Sequence, residues 1–329
     1  MRFGVIGCGS IGLRHISNLL QMGHEVVAYN RGQARRDLAK RRLNIPTFGS
    51  IDEMLESNKC DAVIICSPNS LHKNHMISVI ERGLHFFVEK PLAIELNDLS
   101  EMEADITKKG LISHVGANMR FHFGPKTVKE YLDSGFIGRP LWANFWGGMY
   151  LPDWHPAEDY REMYSAKKIL GGGAILDFIH EIDLMCWMFG EPELLAAMAR
   201  NSGCLDIETE DLVDVILAFK TGMQGNLHLD YLQRPFQRGI HVIGERGSLR
   251  WDLVEESVEV VGHDKGVSKT IQYPHGYIKN DMYVAQMDYF CSCIQENIQS
   301  VSGFNEGMRA LNMAQKIKQS ISTQEFVKR

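Results

Sequence analysis

The chain has 329 residues, enough for two domains that each bury a core, and its 44% hydrophobic, 23% charged composition excludes disordered and fibrous classes. Its formal net charge of −6 argues against nucleic acid as a partner, because phosphate binding needs a basic face. Apolar runs such as AVIIC at 62–66 are too short to cross a membrane, and the opening RFGVIG reads as a strand rather than a leader, so a cytoplasmic protein with no membrane partner is expected. Its seven cysteines form no CxxC pair and read as reduced packing residues.

The apolar strand FGVI ends in Gly7-Cys8-Gly9-Ser10-Ile11-Gly12, a complete G-x-G-x-x-G. Helical spacing follows in IGLRHISNLLQM and a second strand in EVVAY. Strand, glycine turn, helix and strand in about 28 residues is the context that makes this motif a dinucleotide site, with the pyrophosphate on the helix N-terminus. Gly7, Gly9, Ser10, Ile11 and Gly12 are therefore expected cofactor-binding residues. Where an acid would grip the ribose of NAD, the second strand ends in Asn30-Arg31, with Arg35 and Arg36 close behind. An amide followed by guanidinium suits a 2′-phosphate, so NADP(H) is favoured. The alternative is that Asn30 bonds a hydroxyl and NAD(H) also serves.

Strands at 61–67, 84–89 and 111–116 alternate with helices at about 71–82 and 95–109, which implies a parallel sheet covered on both faces, with ligand beyond the strand ends. Those ends carry Ser67, Pro68, Asn69 and His72, then Glu89 and Lys90, then Asn118 and Arg120. All are expected to bind cofactor except Arg120, which is expected on the substrate. Lys90 precedes Pro91, which keeps it out of the helical region and allows a cis bond.

After Pro140 the texture changes to runs of strands, such as LWANFWGG, LVDVILAF, GNLHLDY and GSLRWD, with closing helices at about 281–298 and 305–322. A connection rich in aromatic and charged side chains, Trp154, His155 and Tyr160 among them, precedes GGGAILDFIHEID; stacking rings with polar tips suit a polyhydroxylated substrate. Residues 174–189 read as one helix. Its three-residue steps place Asp177, His180 and Asp183 within an arc of roughly 120°. HEID begins like H-E-x-x-H, but position 184 is Leu, so no metal site is expected.

The pieces GVIGCGSIGLRH, SPNSLHKNHMISVIERGLHFFVEKPLA, NMRFHFGP and GGGAILDFIHEIDLMCWMFG together resemble the glucose-fructose oxidoreductase / inositol dehydrogenase / MocA family. They cover about the first 190 residues. The resemblance implies an NAD(P)-dependent oxidoreductase of sugars, cyclitols or nucleotide-linked sugars. Its fold would be α/β: a Rossmann doubly wound parallel sheet (1–119), then a substrate-binding and oligomerisation α/β domain (120–329) with a large open, mostly antiparallel sheet. It assigns Lys90 to nicotinamide and substrate, and Asp177 and His180 to the catalytic group. This chain departs from the family spacing by one residue fewer between Asp177 and His180. YLPDWHPAEDYREMYSA also looks like a sub-group associated with surface-polysaccharide and nucleotide-sugar gene sets.

Oxidising a secondary alcohol releases a hydride and a proton. His180 is the first choice for the proton, with Lys90 holding the same oxygen or acting as base itself. The free sheet face suggests a homo-oligomer, dimer or tetramer. Two other readings stand beside the dehydrogenase: elimination or hydrolysis through transient oxidation by bound NAD, and a dinucleotide-sensing regulator without turnover.

Overall fold

The computed structural model describes residues 1–57, 60–263 and 268–328. Contacts divide the chain into two compact units, Met1–Asn118 with Lys279–Met308, and Met119–Ile278 with Arg309–Arg329.

In the first unit the elements alternate: β1 (Arg2–Ile6), α1 (Ser10–Gln21), β2 (Glu25–Tyr29), α2 (Gln33–Leu43), β3 (Thr47–Phe48), α3 (Ile51–Ser57), β4 (Ala62–Ile65), α4 (His72–Glu81), β5 (His85–Val88), α5 (Leu99–Lys108) and β6 (Ser113–Val115). The sheet is parallel with order β3-β2-β1-β4-β5-β6. Strand order reverses between β1 and β4, the switch point beside which such sheets bind ligands. Phe3, Val5, Ile64 and Phe87 are fully buried, as strands covered on both faces require. Helix α5 starts later than the sequence suggests, because Asp98 sits in the left-handed region (φ 67°).

The second unit begins with α6 (Phe123–Asp133), β7 (Pro140–Gly148), α7 (Ala174–Asp177) and α8 (Ile179–Phe189). There follow β8 (Leu194–Arg200), β9 (Leu212–Ala218), β10 (Gln224–Asp230), β11 (Gln237–Gly244), β12 (Gly247–Asp252), β13 (Ser257–Gly262) and β14 (Ser268–Gln272). Helix α9 (Asp281–Glu296) follows, then α10 (Phe304–Thr323) and a short β15 (Val327–Lys328). The sheet order is β14-β13-β12-β11-β7-β10-β9-β8-β15, antiparallel except for β7 with β10. One face is apolar and helix-covered: Val213, Val215, Leu227 and Leu229 are buried, while Asp214 and Ile216 between them face out. Residues 279–308 leave the second domain expected over 120–329. In α9, Met287, Phe290, Cys291 and Cys293 belong to the same core as Phe3, Ile16 and Phe87, so burial of that apolar face assigns the helix to the first unit.

Trp251 on β12 is fully buried and donates its indole N–H to Tyr273 Oη at 2.7 Å. It lies so close to Gly124 of α6 that a Cβ there would stand 2.0 Å from its ring nitrogen. Trp251→Ala is expected to cost about 3–5 kcal/mol, read as a lower denaturant midpoint for the second unit; a loss below about 1 kcal/mol would contradict this packing.

Candidate active site

In the first unit, β1 runs into the glycine loop. Gly12 packs so tightly that a Cβ on it would lie 1.9 Å from the Gly7 carbonyl oxygen. Gly9 is the opposite case, because a Cβ there meets nothing within 4 Å and the space beside the loop is open. Helix α1 has no side-chain cap, so the first-turn amides at Ser10, Ile11 and Gly12 remain as donors for an anion. Asn30 braces this loop: its Oδ1 accepts from the Cys8 amide at 3.0 Å and its Nδ2 donates to the Gly32 carbonyl at 3.3 Å. Arg36 donates to the carbonyls of Asn30 and Arg31 at 2.7 and 2.8 Å, which fixes the turn. Arg31 and Arg35 are exposed.

At the end of β4, Ser67 and Asn69 are half-buried and Pro68 is exposed. His72 is fully buried, with Nδ1 2.8 Å from the Pro91 carbonyl oxygen and Nε2 2.9 Å from that of Ser67. Burial lowers its pKa, although both carbonyls oppose the shift. Through these two contacts His72, expected on the cofactor, links the loops after β4 and β5. The Lys90–Pro91 bond is cis and Lys90 is half-buried. Glu89 beside it accepts from the Lys90 amide at 3.2 Å and lies 2.7 Å from His15 Nε2. Asn118, beyond β6, is 4% exposed, and its Oδ1 has no partner among the described residues. A buried acceptor left unpaired is costly, so it marks a place for a ligand's donor.

In the second unit, Gly173 (φ 110°) precedes α7, and a Cβ on it would lie 2.3 Å from Glu210 Oε1. Glu210 uses that space: its carboxylate accepts from the Ile175 amide at 3.1 Å and its carbonyl from the Ala174 amide at 3.2 Å. Burial raises its pKa. The single helix expected over 174–189 is two helices, because Phe178 (φ −91°, ψ 29°) leaves the helical region. Asp177 therefore ends α7 while His180 opens α8, and the common face inferred from three-residue steps is broken between them.

Asp177, His180 and Asp183 are 3%, 8% and 5% exposed. Asp177 Oδ2 accepts from the hydroxyl of fully buried Tyr231 at 2.6 Å. Burial, and the negative Asp177 beside it, push the Tyr231 phenol well above its ordinary pKa, so it stays a proton donor. Asp183 accepts two bonds from Arg120, at 2.8 and 2.6 Å. That buried fork anchors α8 through Arg120, the residue expected on the substrate. Glu181, 1% exposed, is likewise paired, 2.5 Å from Arg238 Nε.

Trp154 packs edge-on to Tyr231 and Phe178, with centroids 5.6 and 5.8 Å apart, and its buried Nε1 has no partner among the described residues. The Tyr160 hydroxyl accepts from the Asp206 amide at 3.3 Å, and His155 is exposed. Tyr231, Glu210 and Arg238 were not singled out from the sequence. Tyr231 follows an ordinary alternating strand and Glu210 sits in a loop, so neither carries a local signal.

A family model described as "Oxidoreductase family, NAD-binding Rossmann fold" matches residues 1–117, and "GFO/IDH/MocA C-terminal domain" matches 126–250. Myo-inositol 2-dehydrogenase of Thermotoga maritima is 28% identical over 343 residues, covering 100% of this chain and 98% of that protein. Among solved structures, levoglucosan dehydrogenase in complex with NADH and levoglucosan superposes with a TM-score of 0.90 at 19% identity, covering 100% and 99% of the two chains. The WlbA dehydrogenase from Bordetella pertussis, in complex with NADH and UDP-GlcNAcA, gives 0.86 at 23%, covering 100% and 97%. These two likenesses show the fold.

The Arg120–Asp183 pair separates a structural from a substrate-binding role. Arg120→Met strands a buried carboxylate and is expected to cost about 3–5 kcal/mol in denaturant unfolding while dinucleotide affinity is kept. Unchanged stability with a raised substrate KM would restore Arg120 to the substrate.

Proposed function

Because the chain belongs to the GFO/IDH/MocA family of oxidoreductases, we propose that it moves a hydride between NADP(H) and a secondary alcohol or ketone of a sugar, cyclitol or nucleotide-linked sugar. The observation that carries this reading is the open space at Gly9 above the uncapped start of α1, a site ready for a pyrophosphate. The relative named for myo-inositol, and the similar structures that hold levoglucosan and UDP-GlcNAcA, support the substrate class.

The dinucleotide, when bound, supplies or accepts the hydride. The chain's residues do the rest. Asn118 Oδ1 suits an amide donor such as the nicotinamide carboxamide. Lys90 holds the reacting oxygen and stabilises negative charge on it, while His180 takes the proton, since imidazole exchanges protons near neutral pH. Asp177 is held in one orientation by Tyr231 and fixes the substrate. Trp154, His155 and Tyr160 are the side chains offered to the sugar ring.

Preference for NADP(H) rests on Asn30, rather than an acid, directly after β2, and on two exposed guanidiniums, Arg31 and Arg35, with Arg36 held by the backbone. In calorimetric titrations, Arg31→Ala is expected to weaken NADPH about tenfold more than NADH; equal losses would contradict the 2′-phosphate contact.

The chain assembles as a homo-oligomer through the open face of the nine-stranded sheet. That face exposes Met198 (80%), Ile216 (65%) and Ile243 (40%), more large apolar surface than a solvated face needs. The double variant Met198→Glu, Ile216→Arg is expected to reduce the light-scattering mass to one chain, and a wild-type mass would place the interface elsewhere.

A further inference from the structure

His15 lies in α1, the helix whose first turn faces the proposed pyrophosphate, yet no step of the reaction uses it. It is fully buried, edge-on to Phe87 (5.1 Å) and Tyr283 (6.1 Å). Such a site is an expensive place for an imidazole unless its polar atoms have work. One does: Nε2 stands 2.7 Å from Glu89 Oε1. Nδ1 has no partner among the described residues. An N–H buried at Nδ1 would be unsatisfied, so the proton belongs on Nε2, donated to the carboxylate.

The other oxygen of Glu89 accepts from the Lys90 amide at 3.2 Å. Gly116 completes the seat: a Cβ on it would lie 2.8 Å from Glu89 Oε2, so only glycine leaves room for the carboxylate. His72 approaches from α4 and Cys66 from the end of β4. His72 is turned to the carbonyls of Pro91 and Ser67, and burial with the negative Glu89 nearby raises the Cys66 thiol well above its ordinary pKa, so the described contacts of Glu89 run to His15 and the Lys90 amide. A continuous chain of two hydrogen bonds thus runs from the cofactor helix to the backbone of Lys90.

We propose that His15 is a positioning residue for Lys90, acting through Glu89, so that the helix receiving the dinucleotide also sets the place of the lysine. A histidine supplies the reach and the rigid Nε2–H; glutamine can place an N–H at nearly the same point, and leucine cannot. The inference rests on the role given to Lys90 under the proposed function, so its test is chosen to read Lys90 without turnover.

The full-length protein and its His15→Gln and His15→Leu variants are treated at fixed pH with acetic anhydride, and acetylation of each lysine is followed by peptide mass spectrometry, with and without NADPH. Lys90 is expected to react several-fold faster in His15→Leu, while Lys40 and Lys109 keep their wild-type rates. NADPH affinity should stay within about threefold. His15→Gln is expected to recover most of the wild-type slowness at Lys90. If His15→Leu folds poorly, Glu89→Ala cuts the same link from the other end and should give the same acceleration. Wild-type acetylation of Lys90 in both His15→Leu and Glu89→Ala would overturn the proposal. A wild-type protein that turns over no sugar would contradict the proposed function and leave the labelling result to decide this link.

Discussion

The constraint on which the first unit depends is the contact between Gly12 and the Gly7 carbonyl. No Cβ fits there, since it would stand 1.9 Å from oxygen, so α1 can lie against the end of β1 only because position 12 has no side chain. That approach fixes where α1 begins, leaves its first amides uncapped beside the open space at Gly9, and brings Cys8 within reach of Asn30. The second unit repeats the device at Gly173, where the missing side chain makes room for Glu210 and so sets the start of α7.

Five acids crowd these two sites, and each has a partner that accounts for its burial. Glu89 is held by His15, Asp177 by Tyr231, Asp183 by Arg120, Glu181 by Arg238, and Glu210 by backbone amides at a helix N-terminus. An unpaired buried carboxylate costs several kcal/mol, which is why the apolar pair α7 and α8 can carry Asp177, Glu181 and Asp183 only with donors around them. The donors come from five separate segments, so the acids also pin the loops around them.

Local chemistry was legible where spacing alone determines structure. The glycine loop, the alternating first unit, the Lys90–Pro91 turn and the antiparallel runs are all periodicity or turn signals. Pairings across long sequence separations were not. Nothing at Tyr231 points to Asp177, 54 residues earlier, and nothing at Arg120 points to Asp183, 63 residues later. For the same reason the contacts of His72 with two carbonyls and of Arg120 with Asp183 carry no local signal: a polar side chain near a strand end reads alike whether it faces a cofactor or a buried partner. The break at Phe178 was hidden because an apolar run without glycine or proline carries no stop signal, and α9 could not be assigned to the first unit from a helical pattern that fits either core.

The measurement that bears most directly on the central claim, hydride transfer between a bound dinucleotide and a polyhydroxylated substrate, is the near-ultraviolet absorbance of reduced nicotinamide. NADP⁺ is presented with inositols, hexoses and UDP-linked sugars, and NADPH with the corresponding keto compounds, for the wild type and for Lys90→Ala. At least one of these is expected to change the absorbance in the wild type, at a rate that falls by about 10²–10³-fold in Lys90→Ala. Tight dinucleotide binding with no absorbance change across the whole panel, or a Lys90→Ala variant that turns over at the wild-type rate, would contradict it.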